Sequence, residues 1–314
     1  MAGSYSLPGW SNRLGSVLTP ASIPGVYTAD RPFYWNGIDV GGRMTVIKME
    51  RTSGGDGGGR GGLIVHSPVY LDAPLVDALS RLGDVMHVIS PNYEHVKYVR
   101  AWAEHYPNAR VWGCPGLTSR VSGVEWSGEV PYGARPNAAD GNGTSAIDGM
   151  WDWNELMPYH VDFEVNPFTG RPFFNEVLFY HVPSRTLLTT DFYWNYPGRD
   201  GATNGRIVDD ADDDDGDYGS WELAPNVGPI PLGSLLWGKV GMDRLFYPFY
   251  IKFMVRKDRR DAFEEMARYM TCGGGGGDDD AGWVVETIIP CHGDIVRGRR
   301  LCRKVLERHF GIKS

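Results

Sequence analysis

Cysteine is scarce in this sequence. The 314 residues include only four, Cys114, Cys272, Cys291 and Cys302, and no two of them form a C-x-x-C pair. Such wide spacing excludes a disulfide-rich scaffold and favours reduced thiols. We therefore expect an intracellular protein and place it in the cytoplasm.

Long hydrophobic runs are also missing. The most apolar region, "GPIPLGSLLWGKVGMDRLFYPFYIKFMV", is interrupted by Lys239, Asp243, Arg244 and Lys252. It therefore falls short of the roughly 20 uninterrupted apolar residues that a bilayer requires. The N-terminal residues lack a charged start followed by an apolar core, so we expect neither a secretory signal nor a membrane span.

The protein body has little excess charge of either sign. Ten of the 39 acidic residues lie in two runs, Asp209–Asp217 and Asp278–Asp280, and the remaining 29 nearly balance the 31 lysines and arginines. The last predicted helix is rich in arginine, but Leu301, Val305 and Leu306 give it an apolar face. This pattern is typical of a solvated amphipathic surface helix, so nucleic-acid binding is disfavoured.

No phosphate-binding motif is present. The sequence lacks G-x-x-x-x-G-K-[ST], and its glycine-rich stretch "GGDGGGRGG" does not fit a G-x-G-x-x-G loop between a strand and a helix. We therefore predict no nucleotide cofactor. Glycine-rich and aspartate-rich segments at about 53–62, 196–220 and 272–282 are instead expected to be disordered surface insertions, because dense charge and high chain entropy oppose packing.

Strands and helices alternate between these insertions. "RMTVIKME" and "GGLIVHSPV" are predicted to form a hairpin, and Asp72 and Gly83 mark the start and end of a helix. "VMHVI" is a further strand, and the spacing of apolar residues predicts a helix over residues 94–106. The pattern predicts one α/β domain, residues 43–314, behind an N-terminal arm of residues 1–42. The oligomeric state stays open.

Potential metal ligands follow directly after predicted strands. They are Glu94 and His95 in "SPNYEH", Asp191 after "TLLTTD" and His292 in "PCHGD", with Glu176 as a fifth candidate. Strand ends are where α/β folds place their sites, and two imidazoles with two carboxylates suit zinc, iron or manganese. Each residue alone is more typical of a capped turn or a satisfied polar group than of a metal ligand.

The order of these residues resembles the metallo-β-lactamase fold superfamily, a group of metal-dependent hydrolases with an αββα sandwich. The resemblance covers residues 43–309 and is strongest to an uncharacterised branch known only as a domain of unknown function. In the superfamily a strand leads into H-x-H-x-D-H. Here "SPNYEH" occupies that place, with Glu94 for the aspartate and His95 for the last histidine, while Ser90 and Asn92 replace the first two histidines.

Two later motifs of the superfamily are present as well. "FNEVLFYHVPSRTLLTTD" corresponds to the strand pair that ends in the bridging aspartate, here Asp191, and "IIPCHGD" supplies the last histidine, His292. A further histidine ligand expected near Pro172 is absent. The resemblance therefore implies that the ligands of one metal are lost and that those of the other are kept in modified form.

The resemblance implies a four-layer αββα sandwich and a hydrolase with one divalent metal. A metal-bound water would attack an ester, lactone, thioester or phosphodiester of a small molecule that the sequence does not identify. His95 and His292 would supply nitrogen ligands, and Glu94 and Asp191 oxygen ligands, one of which would take the proton from the water. Supporting residues near the metal would be Glu176, Asn175, His66 and Asn92.

The alternative is a binding or scaffold protein that kept the fold and lost the metal site. Loss of one metal removes a clamp on the attacking and leaving atoms, and glutamate in place of aspartate adds a methylene that shifts the carboxylate. The hydrolase requires convergence of the four groups at an open cleft. The scaffold tolerates groups that point apart.

Overall fold

A computed structural model describes most of the chain. The described residues are 17–49, 61–136, 148–196, 232–233, 236, 245–271, 273 and 282–312. Residues 1–16 of the predicted arm lie outside them, and so do nearly all residues of the three predicted insertions.

The N-terminal half forms one mixed sheet and a small hairpin. Its strands are β1 (Thr19–Ile23), β2 (Val26–Arg31), β3 (Tyr34–Trp35), β4 (Ile38–Asp39), β5 (Gly42–Lys48), β6 (Gly62–His66), β7 (Asp84–Ser90), β8 (Arg110–Gly113) and β9 (Gly128–Glu129). Within the described residues the sheet has seven strands in the order β1-β2-β5-β6-β7-β8-β9, and β3 pairs only with β4. Helices α1 (Ala73–Leu82) and α2 (Val99–His105) connect β6 to β7 and β7 to β8.

The C-terminal half forms a second mixed sheet. Its strands are β10 (Leu156–His160), β11 (Val177–His181), β12 (Thr186–Thr189), β13 (Thr287–Pro290) and β14 (Val296–Arg297), in that spatial order, with β12 and β13 parallel. A short helix α3 (Tyr247–Phe249) continues as a π-helix (Tyr250–Met254), and α4 (Arg260–Thr271) and α5 (Arg299–Phe310) follow.

Three apolar clusters define the layers. One lies between the sheets and joins Ile64 and Ile89 of the first to Phe179 and Leu188 of the second. A second packs α1 and α2 on the outer face of the first sheet, and the third packs α4 and α5 on the outer face of the second. The predicted four-layer αββα sandwich is confirmed.

Local signals place several elements as predicted. The Asp72 side chain accepts a hydrogen bond from the Leu75 N–H at the start of α1, and Gly83 ends this helix. The predicted hairpins β5–β6 and β11–β12 are both present. Cys114 and Cys291 are free thiols, Cys302 is buried, and Cys272 lies outside the described residues. No helix in the described ranges has the length and apolar character needed to cross a bilayer.

Residues 19–31 differ from the prediction of an N-terminal arm. They form β1 and β2 at one side of the first sheet, where residues 26–31 pair with β5 from Gly42 to Ile47. The charged residues Asp30 and Arg31 lie in β2. Both are buried, and Asp30 forms an ion pair with Arg43 across the two strands, which explains how charged residues are accommodated in a central strand.

Glu164 is a buried carboxyl that makes stability depend on pH. Burial raises its pKa from 4.5 to about 7, although the hydrogen bond from the Asn175 N–H acts in the opposite direction and Glu176 adds to the rise. Because the folded state holds this proton more tightly than the unfolded chain, the contribution of Glu164 to stability is greatest below about pH 4.5 and is lost as the pH rises to about 7.

Glu164→Gln should therefore lessen this fall by up to roughly 3 kcal/mol. Urea denaturation across that pH range measures the effect, with the exposed Glu104→Gln variant as the control. An equal fall in wild type and Glu164→Gln would show that Glu164 does not carry the dependence.

Candidate metal centre

Three strand ends meet at one edge of the sandwich. β7 ends at Ser90 and leads to His95, β12 ends at Thr189 and leads to Asp191, and β13 ends at Pro290 and leads to His292. Because β12 and β13 are parallel neighbours, the residues that follow them lie side by side. The sequence expectation that these strand ends approach each other is met for these three residues.

The side chains of His95, Asp191 and His292 form a compact donor group. One nitrogen or oxygen atom from each lies within 4.8 Å of the other two. His95 Nε2 is 3.2 Å from Asp191 Oδ2 and 3.2 Å from His292 Nε2, and His292 Nε2 is 3.7 Å from Asp191 Oδ1. Two imidazole nitrogens and a carboxylate are a donor set that zinc, iron and manganese accept, so this group could hold a metal ion.

Hydrogen bonds on the far side of each ring set the direction of the donors. His292 Nδ1 lies 2.6 Å from the carbonyl oxygen of Gly41, so it carries the proton and leaves the Nε2 lone pair facing Asp191. His95 Nδ1 lies 2.7 Å from Ser67 Oγ. Outer hydrogen bonds of this kind orient histidine ligands in metal sites.

The charges of the group are strongly coupled. Burial opposes the charged form of His95, but the Asp191 carboxylate outweighs it and raises the pKa of His95. Burial and the neighbouring His95 lower the pKa of His292 to about 4. Burial also acts against ionised Asp191, yet His95 keeps the pKa of that carboxyl below its usual value. The Asp191 carboxylate therefore favours the protonated form of His95.

Asn92 and Glu176 support Asp191 from the buried side. Asn92 Nδ2 donates to Asp191 Oδ2 (2.7 Å), to Thr190 Oγ1 (2.9 Å) and to Glu176 Oε2 (3.3 Å). Glu176 accepts the backbone N–H groups of Thr190 (2.6 Å), Asp191 (2.8 Å) and Phe192 (2.8 Å). Burial and the Asp191 charge raise the pKa of Glu176 to about 7. The loop that carries Asp191 is therefore built around one buried carboxyl.

Asn92 also shapes the segment before α2. Its Oδ1 accepts the N–H groups of Glu94 (3.0 Å) and His95 (2.8 Å), which is an Asx-type turn. This turn replaces the first helical turn that the sequence predicted over residues 94–98, and regular α-helix begins only at Val99. The turn directs His95 into the site.

The other predicted site residues lie around this group. Glu94 is exposed, lies outside the three-residue donor group and lines the adjoining cavity, so its role as a fourth ligand stays a prediction. His66 lies between the sheets against Phe179, with no hydrogen bond to its ring among the described residues, and burial lowers its pKa to about 3. Asn175 binds His160 and the Pro115 carbonyl rather than a ligand residue.

Sequence reasoning missed the N-terminal side of the site. Phe33 stacks on the His95 ring with centroids 5.5 Å apart, and Gly41 and Ser67 orient the two histidines. The β3–β4 hairpin could have been predicted from the sequence, because Asn36-Gly37 is the common sequence of a tight hairpin turn. In the structure both residues have the positive φ that such a turn requires. Nothing in the sequence identifies the Gly41 carbonyl.

A cavity of about 290 Å³ opens beside the donor group. Asp191 and His292 form part of its wall, Glu94 lies at one side, and the remaining described lining residues are apolar or aromatic. A small molecule in this cavity would therefore contact Asp191 and His292 directly.

Comparison with known proteins identifies a family. The family described as "Domain of unknown function (DUF4336)" matches residues 25–200. No curated protein matches the sequence significantly.

Several solved structures are similar in architecture. They include a metallo-β-lactamase from Pontibacter korlensis (11% identity, 93% of this chain and 97% of that chain, TM-score 0.45), one from Hirschia baltica (11%, 93% and 96%, 0.45) and rubredoxin oxygen:oxidoreductase from Desulfovibrio gigas (12%, 94% and 61%, 0.49). At this level of similarity no residue role is transferred from them. The family match, in contrast, spans more than half of the sequence. The chain therefore belongs to the DUF4336 family, in agreement with the predicted uncharacterised branch.

Proposed function

We propose that this protein is a hydrolase that uses one divalent metal ion held by His95, Asp191 and His292. The observation that carries the proposal is the convergence of three donor atoms within 4.8 Å, with both histidines oriented by outer hydrogen bonds. When bound, zinc, iron or manganese supplies Lewis acidity and an activated water, which suits hydrolysis of an ester, lactone, thioester or phosphodiester.

The surroundings of Asp191 favour one ion rather than two. The side of Asp191 that faces Asn92 is occupied by an amide nitrogen, which donates hydrogen bonds and cannot coordinate a cation. The same amide nitrogen also contacts Thr190 and Glu176. A hydrogen-bonded network thus fills the place where the resemblance implies the lost second metal.

The residues divide the chemical work as follows. His95 and His292 bind through Nε2 while Ser67 and Gly41 hold their Nδ1 atoms, so both rings keep one orientation. Glu94, on the cavity wall, is placed to receive a proton from the attacking water, and its exposure lets it pass that proton to solvent. Asp191 stays ionised and acts as a ligand.

The non-catalytic alternative also has a specific observation behind it. His95 Nε2 contacts both Asp191 and His292 directly, so the three side chains already satisfy one another without a cation. A chain that kept this closed network purely for stability would be a binding protein on the same fold.

Metal content decides between these functions. Untagged wild-type protein should contain about one zinc, iron or manganese ion per chain by elemental analysis. A His95→Ala/His292→Ala double variant should lose it, whereas His105→Ala, which alters an exposed histidine in α2, should not. Loaded wild type should then hydrolyse simple aryl esters faster than the double variant.

Two outcomes would contradict the hydrolase. Folded wild-type protein that takes up no metal on titration would favour the binding protein. Equal metal content in wild type and the double variant would place the ion elsewhere.

A further inference from the structure

The cavity beside the donor group has an aromatic wall, which we define as Phe33, Trp35, Phe173, Trp194, Tyr196 and Phe246. This wall is continuous with the ligand residues: Phe33 stacks on His95, and the Tyr196 ring lies 5.9 Å from the His292 ring. Trp194 and Phe246 pack against each other with centroids 4.7 Å apart. A bound molecule would therefore meet aromatic surface and metal-binding atoms together.

The charges at this cavity are of one sign. Glu94 and Asp191 are its acidic residues, and no described lining residue is lysine or arginine. Lys97 lies nearby, with Nζ 5.8 Å from the centroid of Phe33, but it does not line the cavity. Arg43 is already paired with Asp30. Among the described lining residues, an anionic group would face two carboxylates and apolar surfaces but no lysine or arginine, which is costly. One bound divalent ion would only balance the two carboxylates and would leave no excess positive charge for an anion.

We propose that the cavity binds uncharged esters or lactones that carry an aryl or branched alkyl group. This choice of substrate rests on the proposed hydrolase function and narrows the range of substrates given there. The volume of about 290 Å³ is near the lower limit of the usual range for small-molecule sites, so the ligand is compact. The same argument disfavours phosphodiesters and other anions.

The arrangement gives each part of such a substrate a place. Its apolar group lies on the aromatic wall, and its carbonyl points towards His95, Asp191 and His292. In the reaction the acyl C–O bond breaks, the oxygen of water joins the acyl carbon, and the displaced alcohol oxygen gains a proton. No reactant other than water is required.

Three probes of matched size test the preference. Acetanilide is an uncharged carbonyl compound that resists hydrolysis, phenyl phosphate is an anion, and phenyltrimethylammonium is a cation. Ligand-observed NMR titration of metal-free protein gives a Kd for each and avoids direct coordination of phosphate by a metal. We expect acetanilide to bind at least about tenfold more tightly than phenyl phosphate. In metal-loaded protein, where the ion balances the two carboxylates, acetanilide should also bind no more weakly than phenyltrimethylammonium.

Variants locate the binding site. Trp35→Ala and Phe173→Ala should each weaken acetanilide binding by about three- to tenfold, because each removes one aromatic contact. Phe168→Ala is the control, since Phe168 is 91% exposed and does not line the cavity. Thermal denaturation of each variant confirms that it is folded.

Several results would overturn the inference. They are phenyl phosphate binding as tightly as acetanilide, unchanged acetanilide binding in both folded wall variants, and stronger binding of phenyltrimethylammonium to the metal-loaded protein, which would assign the cavity to organic cations. Metal analysis keeps the two proposals distinct. If the protein takes up no metal but still prefers acetanilide, the proposed ligand class stands and the proposed hydrolase function is wrong. If the metal-loaded protein hydrolyses phenyl phosphate faster than phenyl acetate, only the proposed ligand class is wrong.

Discussion

Replacing Arg43 with methionine should lower the free energy of unfolding by about 3–5 kcal/mol. Arg43 and Asp30 form a buried ion pair at 3.1 Å, and the same guanidinium donates to the carbonyls of Pro290 (3.1 Å) and Gly293 (2.5 Å). Methionine keeps much of the apolar stem but removes the cation that faces Asp30 and leaves two buried carbonyls short of a donor. Chemical denaturation measures the loss.

Two further variants separate charge from packing. Adding Asp30→Asn to Arg43→Met should recover part of the stability, because the buried negative charge is removed as well. Arg81→Met alters an exposed ion pair with Asp77 and should cost no more than about 1 kcal/mol. A loss below that value for Arg43→Met would contradict the importance of the buried pair.

Changing Glu176 to glutamine should weaken metal binding about 10- to 100-fold and cost about 1–3 kcal/mol of stability. Both carboxylate oxygens accept backbone N–H groups of the loop that carries Asp191. The amide nitrogen of glutamine would face at least one of these donors in either orientation, so the loop must shift. Asp191 would then leave its position beside His95.

Metal affinity shows whether Glu176 positions Asp191 or only stabilises the fold. A competition titration with a chelator gives the affinity, and urea denaturation gives the stability of the same preparation. Glu286→Gln is a matched control, because Glu286 pairs with Arg185 at the surface. If Glu176→Gln lost stability with unchanged metal affinity, Glu176 would support the fold without positioning Asp191.

The sequence predicted those features of the fold and the site that depend on one short segment. "TLLTTD" and "PCHGD" each contain a strand and the residue that follows it, so the approach of Asp191 and His292 could be anticipated from the parallel arrangement of β12 and β13. The same holds for α1, whose cap and stop residues are local. The αββα order followed from the resemblance rather than from any single segment.

The remaining features depend on contacts between distant segments. The Gly41 carbonyl that orients His292 is 251 residues away in the chain, and the partner of Arg43 lies on the neighbouring strand β2. The charged residues Asp30 and Arg31 are uncommon in a buried strand, and only the structure shows that Arg43 lies beside Asp30. The hydrogen bonds of Asn92 could not be predicted from the sequence either. Asn92 stands where the resemblance implies a histidine ligand, but its amide nitrogen donates a hydrogen bond to Asp191, whereas a ligand would offer a lone pair to a metal ion.

The distance along the chain between Arg43 and Gly293 has a consequence for biosynthesis. These residues are 250 positions apart and bind each other directly. At the usual pace of translation, about 5–20 residues per second, the ribosome adds the second partner roughly 10–50 s after the first. Throughout that interval the hydrogen bonds from Arg43 to the carbonyls of Pro290 and Gly293 cannot form. During synthesis these contacts are therefore made only after the whole span between them has been translated.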